Sequence, residues 1–314
     1  MSETLVVSVR GERKSLPALQ VGGATILMRG RFLKIAEIFD EYWLERDSLP
    51  NPQVVVAELR RNPSRPDLFT FAQRVPDVEP AYDEYHREFD NYAVLPISTY
   101  EHWFQRQLPA PARRNIRASE KRGITVRVCQ YDDDYVRGIS SIYNETPIRA
   151  GRKFWHFGKD LESVRIENGT YAARSTFLAA YFCDEMVGYL KVVWDKHTAA
   201  IMQILSKSAH RELRPNNALL AEAVKQCCSR GVNYLIYESF HYGNKTGDSL
   251  TRFKENNGFA RMNIPRYYVP LTMKGVVALR TGLHRSAKER VPEWIATPLR
   301  DLRRKWHERK ADGA

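Results

Sequence analysis

The sequence predicts a mixed α/β (α+β) protein: a mixed β-sheet flanked by helices, arranged as a reduced N-terminal unit and a complete C-terminal one. Three observations predict this. Strand-like runs at 176–182, 186–194 and 198–205 are joined by Cys183-Asp184-Glu185 and Asp195-Lys196-His197, connections short enough for antiparallel hairpins. A helical pattern at 217–230 follows, with Leu220, Ala223, Val224, Cys227 and Cys228 on one face and Gly231 as its stop. A strand at 232–238, a short helix at 248–257 and a strand at 266–271 complete the order. Hairpin strands followed by a strand–helix–strand crossover make one mixed sheet.

The first hundred residues read as a short α/β unit. Phe32, Ile35, Ile38, Phe39 and Trp43 recur at helical spacing, while Val54-Val55-Val56, Leu68–Phe71 and Tyr92–Pro96 read as strands. Asn62–Pro66 is a loop. Ser98 or Thr99 caps a helix that Pro109 and Pro111 interrupt, and a basic helix at 112–122 ends at Gly123. Ile124–Val128 alternates as a strand, and a helix at 134–143 starts in the acidic cluster Asp132-Asp133-Asp134, which lacks the glycine and distal glutamate of a calcium loop. The resulting division is 1–122, 123–272 and a basic helical tail at 273–314.

A chain of 314 residues with 43% apolar residues is long enough to bury its own core without staples. Its longest apolar run falls short of a membrane span. The N-terminus has acid before its short apolar run and base after it, the wrong layout for a secretory signal, so a reducing cytoplasmic setting is expected. Four cysteines form no CxxC pair, which argues against a zinc or disulfide framework. The net charge is +12, and half of it falls in 273–314, where eleven Lys/Arg meet five Asp/Glu. Such a tail suits a solvated helix face, or contact with phospholipid or nucleic acid.

The element order is similar to that of the GNAT acyltransferases, and three stretches resemble the FemAB-like branch, whose members contain two GNAT-like units. They are the basic helix Arg113–Gly123, the run Arg214-Pro215-Asn216-Asn217-Ala218-Leu219-Leu220 where the family's main helix starts, and Phe253-Lys254-Glu255-Asn256-Asn257-Gly258-Phe259. The resemblance covers about Tyr92 to Leu271. One departure stands out: the family's R/Q-x-x-G-x-G/A loop is replaced by Arg214–Ala218, which contains no glycine.

The resemblance implies a donor site between the third hairpin strand and the strand after the main helix. Lys207, Arg211 and Arg214 are then placed to neutralise donor phosphates, with Asn216 and Asn217 capping the helix whose N-terminus receives them. Glu238 closes a buried strand and is the first candidate for general base, with His241 as the alternative; Tyr242, like Tyr237, is a candidate acid for the leaving group. The loop 143–156 mixes charge and aromatics where GNAT acceptors enter, so Glu145, Arg149, Arg152 and Trp155 are the candidate acceptor-binding residues.

Three functions fit this reading. The first is an N-acyltransferase moving an acyl group from an acyl-CoA, with acetyl-CoA as co-substrate and no metal. Its acceptor is an amine of a small molecule, sugar or cell-envelope precursor, and the step is base-assisted direct attack. The second is an aminoacyl-tRNA-dependent ligase of the FemAB kind. The third is an inactive GNAT scaffold whose basic tail binds a membrane or a partner.

Overall fold

The computed structural model describes residues 3–9, 12–149, 151–242 and 249–285. The tail beyond residue 285 lies outside the described residues. In chain order the first strands are β1 (Glu3–Val9), β2 (Glu12–Val21), β3 (Ala24–Arg29), β4 (Ile35–Ile38), β5 (Leu68–Ala72), β6 (His86–Pro96) and β7 (Thr125–Cys129). They are followed by β8 (Ile148–Arg149), β9 (Arg152–Lys153), β10 (Ser175–Phe182), β11 (Glu185–Trp194), β12 (Thr198–Ser206), β13 (Tyr234–Ser239) and β14 (Ala260–Pro270). The helices are α1 (Pro52–Arg61), α2 (Tyr100–His102, running into a wider turn at Trp103–Gln107), α3 (Ala110–Lys121), α4 (Asp133–Tyr143), α5 (Leu161–Asn168), α6 (Pro215–Ser229), α7 (Ser249–Asn256) and α8 (Met273–Thr281).

Two compact units emerge. Among described residues, one comprises residues up to 91 together with 262–285, and the other spans Tyr92–Arg261. The expected boundary near Gly123 and this division lie apart. The chain changes unit within β6 and again within β14, mid-strand, so no glycine or proline linker marks either passage.

In the first unit β1 to β4 form an antiparallel meander. Gly22 and Gly23, both at positive φ, make the two-residue turn between β2 and β3, the backbone that hairpin turns require. α1 then crosses over to β5, which pairs parallel to β4, and β14 pairs antiparallel with β5. Val55 and Leu59 of α1 pack with Ile26, Phe69, Phe71 and Tyr267.

Two expectations for this unit are corrected. Val54–Val56 is helical: Asn51 accepts the N–H of Gln53 at 2.8 Å and Pro52 takes the first helical position, so the cap overrides the strand preference of three valines. The proposed helix through Ile35 and Ile38 is β4 instead. Its buried residues, Ala36 and Ile38, alternate with period two, and Phe32 is 88% exposed.

In the second unit the strand order is β6-β13-β12-β11-β10-β7, antiparallel except for β12 beside β13. Period-two alternation divides β10 between two cores. Leu178 and Ala180 join α3 and α6 through Ile116, Leu219 and Val224, while Phe177 and Ala179 join α4 and α5 through Tyr135, Ile139 and Val164. Gly188 of β11 lets α6 come close: a Cβ there would lie 3.2 Å from Leu219 Cδ1 and 3.1 Å from Ser206 Cβ. The cap predicted at α2 is present, Thr99 accepting the N–H of His102 at 3.1 Å, and the acidic cluster at the start of α4 supplies another, Asp132 accepting that of Tyr135 at 2.9 Å.

Candidate active site

β12 and β13 pair over only three positions, Thr198↔Tyr234, Ala199↔Leu235 and Ala200↔Ile236. β12 then continues to Ser206 and β13 to Ser239, so the two strands part toward their carboxyl ends. The ladder is irregular on both sides of the gap. A register shift between β11 and β12 leaves Met202 without an opposite residue, and another between Ile236 and Ser239 adds a residue to β13. Such bulges re-aim side chains. In an open α/β sheet a crevice outside the carboxyl ends of parallel strands is the usual ligand site.

The β13 side of the gap ends in Glu238, held at φ 43°, a backbone that a branched-off side chain adopts only under local constraint. The Tyr242 hydroxyl donates to the Glu238 carboxylate. Lys254 of α7 is fully buried, donates to the Ser239 carbonyl at 2.6 Å, and stands 4.5 Å and 4.8 Å from the ring centres of Tyr237 and Tyr242. Burial, reinforced by the Glu238 charge, pushes the Tyr237 phenol up, so it stays protonated. His241 is turned to Thr251, with Nδ1 3.4 Å from its hydroxyl. The structure thus groups Glu238 and Tyr242 and adds Lys254, which the sequence offered only as part of a motif.

On the β12 side, Lys207–Arg214 leads into α6. Arg214 takes φ 60°, the conformation a glycine would supply, and Pro215 occupies the first helical position. The helix therefore starts before Asn216 and Asn217, and neither side chain caps it. Asn217 instead donates to Asn257 Oδ1 at 3.2 Å, tying α6 to the end of α7. The buried Oδ1 of Asn216 has no hydrogen-bond partner among the described residues. Lys207 is paired with Glu185, while Arg211 and Arg214 lie 3.2 Å and 3.6 Å from Glu212.

Glu145 braces this loop. Its carboxylate accepts the N–H groups of Ser208 and Ala209 at 2.7 Å each and pairs with Arg149 at 2.7 Å. Burial would raise its pKa, but the two N–H groups and the guanidinium outweigh burial and hold it below the usual carboxylate range. Arg149 also donates to the Ser206 carbonyl at 3.0 Å and lies 4.6 Å from the Phe154 ring centre. Glu145 and Arg149, expected on the acceptor side, therefore support the loop after β12. The contact joins residues 63 positions apart, beyond the reach of local sequence patterns.

The rest of the expected acceptor segment remains open to solvent in part. Arg152 of the β8–β9 hairpin is exposed and Trp155 is 53% exposed. The Trp155 ring centre lies 3.5 Å from that of His156, the two planes tilted by 36°, and Lys159 Nζ stands 4.0 Å from the Trp155 ring centre. Burial, aided by Lys159 and Arg149, lowers the His156 pKa to about 3, so the imidazole is neutral. A further polar chain escaped the sequence reading: Tyr143 and Tyr189 hydroxyls meet at 2.8 Å, and Tyr189 donates to Gln203 of β12 at 2.8 Å.

The meander, the α6 crossover and the parted strands are those of a GNAT-like fold. Residues 106–242 match the family model described as an acetyltransferase (GNAT) domain. No curated protein matches the sequence. Three solved structures share the fold. The C-terminal domain of a putative lysylphosphatidylglycerol synthetase from Agrobacterium fabrum has 13% identity and a TM-score of 0.55, over 84% of this chain and 87% of that one. The L-PGS from Bacillus licheniformis has 14% identity and a TM-score of 0.56, over 82% and 86%. FemX has 11% identity and a TM-score of 0.51, over 84% and 87%. At these identities the likeness is one of fold.

Proposed function

We propose that the protein is an N-acyltransferase that moves an acyl group from an acyl-CoA to an amine of a small molecule, sugar or cell-envelope precursor. The observation carrying this reading is the parting of β12 and β13, with Glu238, Tyr242 and Lys254 grouped at the end of β13. In the reaction Glu238 takes a proton from the acceptor amine as nitrogen attacks the thioester carbonyl. Tyr242 gives its proton to the departing sulfur and recovers one from Glu238. Lys254 supplies positive charge beside the Tyr237 and Tyr242 rings, near the developing oxyanion. Asn216 Oδ1 is an acceptor that suits an amide N–H of the donor, while Arg211, Arg214 and the start of α6 suit its phosphates. Arg152 and Trp155 are the acceptor-side candidates. Calorimetry with acetyl-CoA tests the donor class: micromolar binding weakened by Arg211→Ala and Arg214→Ala is expected, and no binding overturns it.

One observation favours a second reading, an aminoacyl ester of tRNA as donor. Glu145 already occupies the Ser208 and Ala209 N–H groups, on the loop where the family's pyrophosphate-binding loop stands. That reading predicts activity with aminoacyl-tRNA that falls steeply with salt, whereas activity with acyl-CoA that is indifferent to salt excludes it.

Peripheral membrane contact is proposed for the chain's C-terminal part. Among described residues no helix is long and apolar enough to cross a membrane. Met273 and Val277 of α8 are 77% and 51% exposed, next to the exposed Lys274 and Arg280, a mixture suited to an anionic lipid surface. Pelleting with anionic liposomes, lost in Met273→Ser/Val277→Ser, is expected; equal pelleting of both chains dismisses the contact.

A further inference from the structure

His86 and Glu88 stand at i and i+2 on β6, so their side chains leave the same face of the strand. His284 reaches that face from beyond α8, two residues after Gly282 ends the helix at positive φ. Glu88 Oε1 lies 2.8 Å from His284 Nε2 and 3.5 Å from His86 Nε2, and the three donor atoms are all within 4.8 Å of one another. The other ring nitrogen of His284, Nδ1, faces the Ala278 carbonyl at 3.3 Å. One ring nitrogen of His284 is thus turned to a backbone carbonyl and the other to the Glu88 carboxylate that His86 also faces.

We infer that His86, Glu88 and His284 form a binding site for a divalent metal of the zinc class, pinning the chain after α8 to β6. Two imidazoles and a carboxylate are the donor set that zinc accepts, with water as fourth ligand. A hydrogen bond from the far ring nitrogen to a backbone carbonyl is the arrangement that orients metal-binding histidines. Tetrahedral bonds of about 2.0–2.1 Å set donor atoms about 3.3 Å apart. The observed 2.8 Å and 3.5 Å bracket that spacing for Glu88 against each histidine, while the two histidine nitrogens, within 4.8 Å of each other, close the rest by rotation of the exposed His86 side chain. The Tyr268 ring, centred 4.7 Å from that of His284, walls one side, and His284 itself is buried. Arg285 engages the same Glu88 oxygen through Nη2 at 2.8 Å and Nε at 3.0 Å. Its guanidinium and the metal compete for Glu88. None of these residues belongs to the group around Glu238, so the site is structural and independent of the proposed acyl transfer.

The test titrates the full chain, stripped by a chelator, with cobalt(II) and zinc(II), following visible absorption and heat. One equivalent should bind without the thiolate-to-cobalt charge-transfer bands that the cysteines would give. His86→Ala, a change at an exposed residue, should weaken binding about 10-fold or more, and Arg285→Ala should tighten it, with thermal melts verifying that both variants fold. The site is upheld when one thiolate-free equivalent binds and His86→Ala lowers its affinity by that factor. Any other result for those two measurements overturns it, and a failure of Arg285→Ala to tighten binding overturns the competition.

Discussion

Each unit holds one parallel strand pair with a helical crossover, β4–α1–β5 in the first and β12–α6–β13 in the second, and the carboxyl ends of the two pairs are treated in opposite ways. In the first, Glu41 follows β4 and accepts the N–H of Ala72, the last residue of β5, at 2.7 Å. Arg266 then bonds Glu41 at 3.0 Å, Asp90 at 2.7 Å and the Thr70 hydroxyl at 3.2 Å, and in the same unit Phe71 stacks on Tyr267 and meets Tyr82 edge-on. In the second, the strands separate after Ala200 and Ile236, and Glu238, Tyr242 and Lys254 gather where the partner strand has left. One topological device serves stability when its end is filled by mutually bonded charges, and is available for chemistry when, past an equally short ladder, both strands run on apart.

The largest expected effect breaks the open end. Glu238→Gln should lower kcat by about 100-fold or more, the usual range for a lost general base, with little change in donor KM; steady-state kinetics with unchanged kcat would remove Glu238 from the reaction. Next comes the filled end. Arg266→Met strands two carboxylates and should cost about 3 kcal/mol of stability, read by urea unfolding, while kcat per folded molecule stays the same. Lost turnover at full stability would mean that the first unit takes part in catalysis.

A smaller effect is expected at the brace of the donor loop. Glu145→Gln should raise donor KM several-fold and cost about 1–2 kcal/mol, the worth of charge-assisted hydrogen bonds. The pKa of Glu145 lies below its usual 4.5, so its contribution is complete above that value and is lost as pH falls through the lowered pKa. Wild-type stability should therefore drop in acid more steeply than that of Glu145→Gln; parallel acid profiles would refute the brace. The smallest effect belongs to Arg214→Gly. Relief of a left-handed backbone should add about 0.5–1 kcal/mol, seen as a higher denaturation midpoint, and a loss of stability would show that the arginine side chain outweighs its strained backbone.

What the sequence disclosed follows the reach of each interaction. The hairpins of β10 to β12 were legible because their connections are short, and α6 because Leu220, Val224 and Cys227 share a face and Gly231 ends it. Val54–Val56 misled because a cap one turn away outvoted three side chains. The extent of β12–β13 pairing leaves no periodic trace, so the crevice was expected only through a family resemblance. Glu238 and Tyr242 were found because they are four residues apart on one strand end. Lys254 was visible only as part of a motif, and the bonds of Glu145 to Ser208 and Ala209 were not legible because those partners lie far along the chain.

Among the described residues, the mid-strand passages in β6 and β14 make the second unit, Tyr92–Arg261, one unbroken stretch, while the first is assembled from two separated pieces. In synthesis the first unit starts earlier, yet β5, already beside β4, must wait for β14 as its second neighbour. The second unit is thus complete before the unit that precedes it in the chain, and through that interval the edge of β5 that meets β14, with Phe69 and Phe71, stands unpaired. A released chain truncated after residue 261 should already hold a protease-resistant second unit and a cleavable first one.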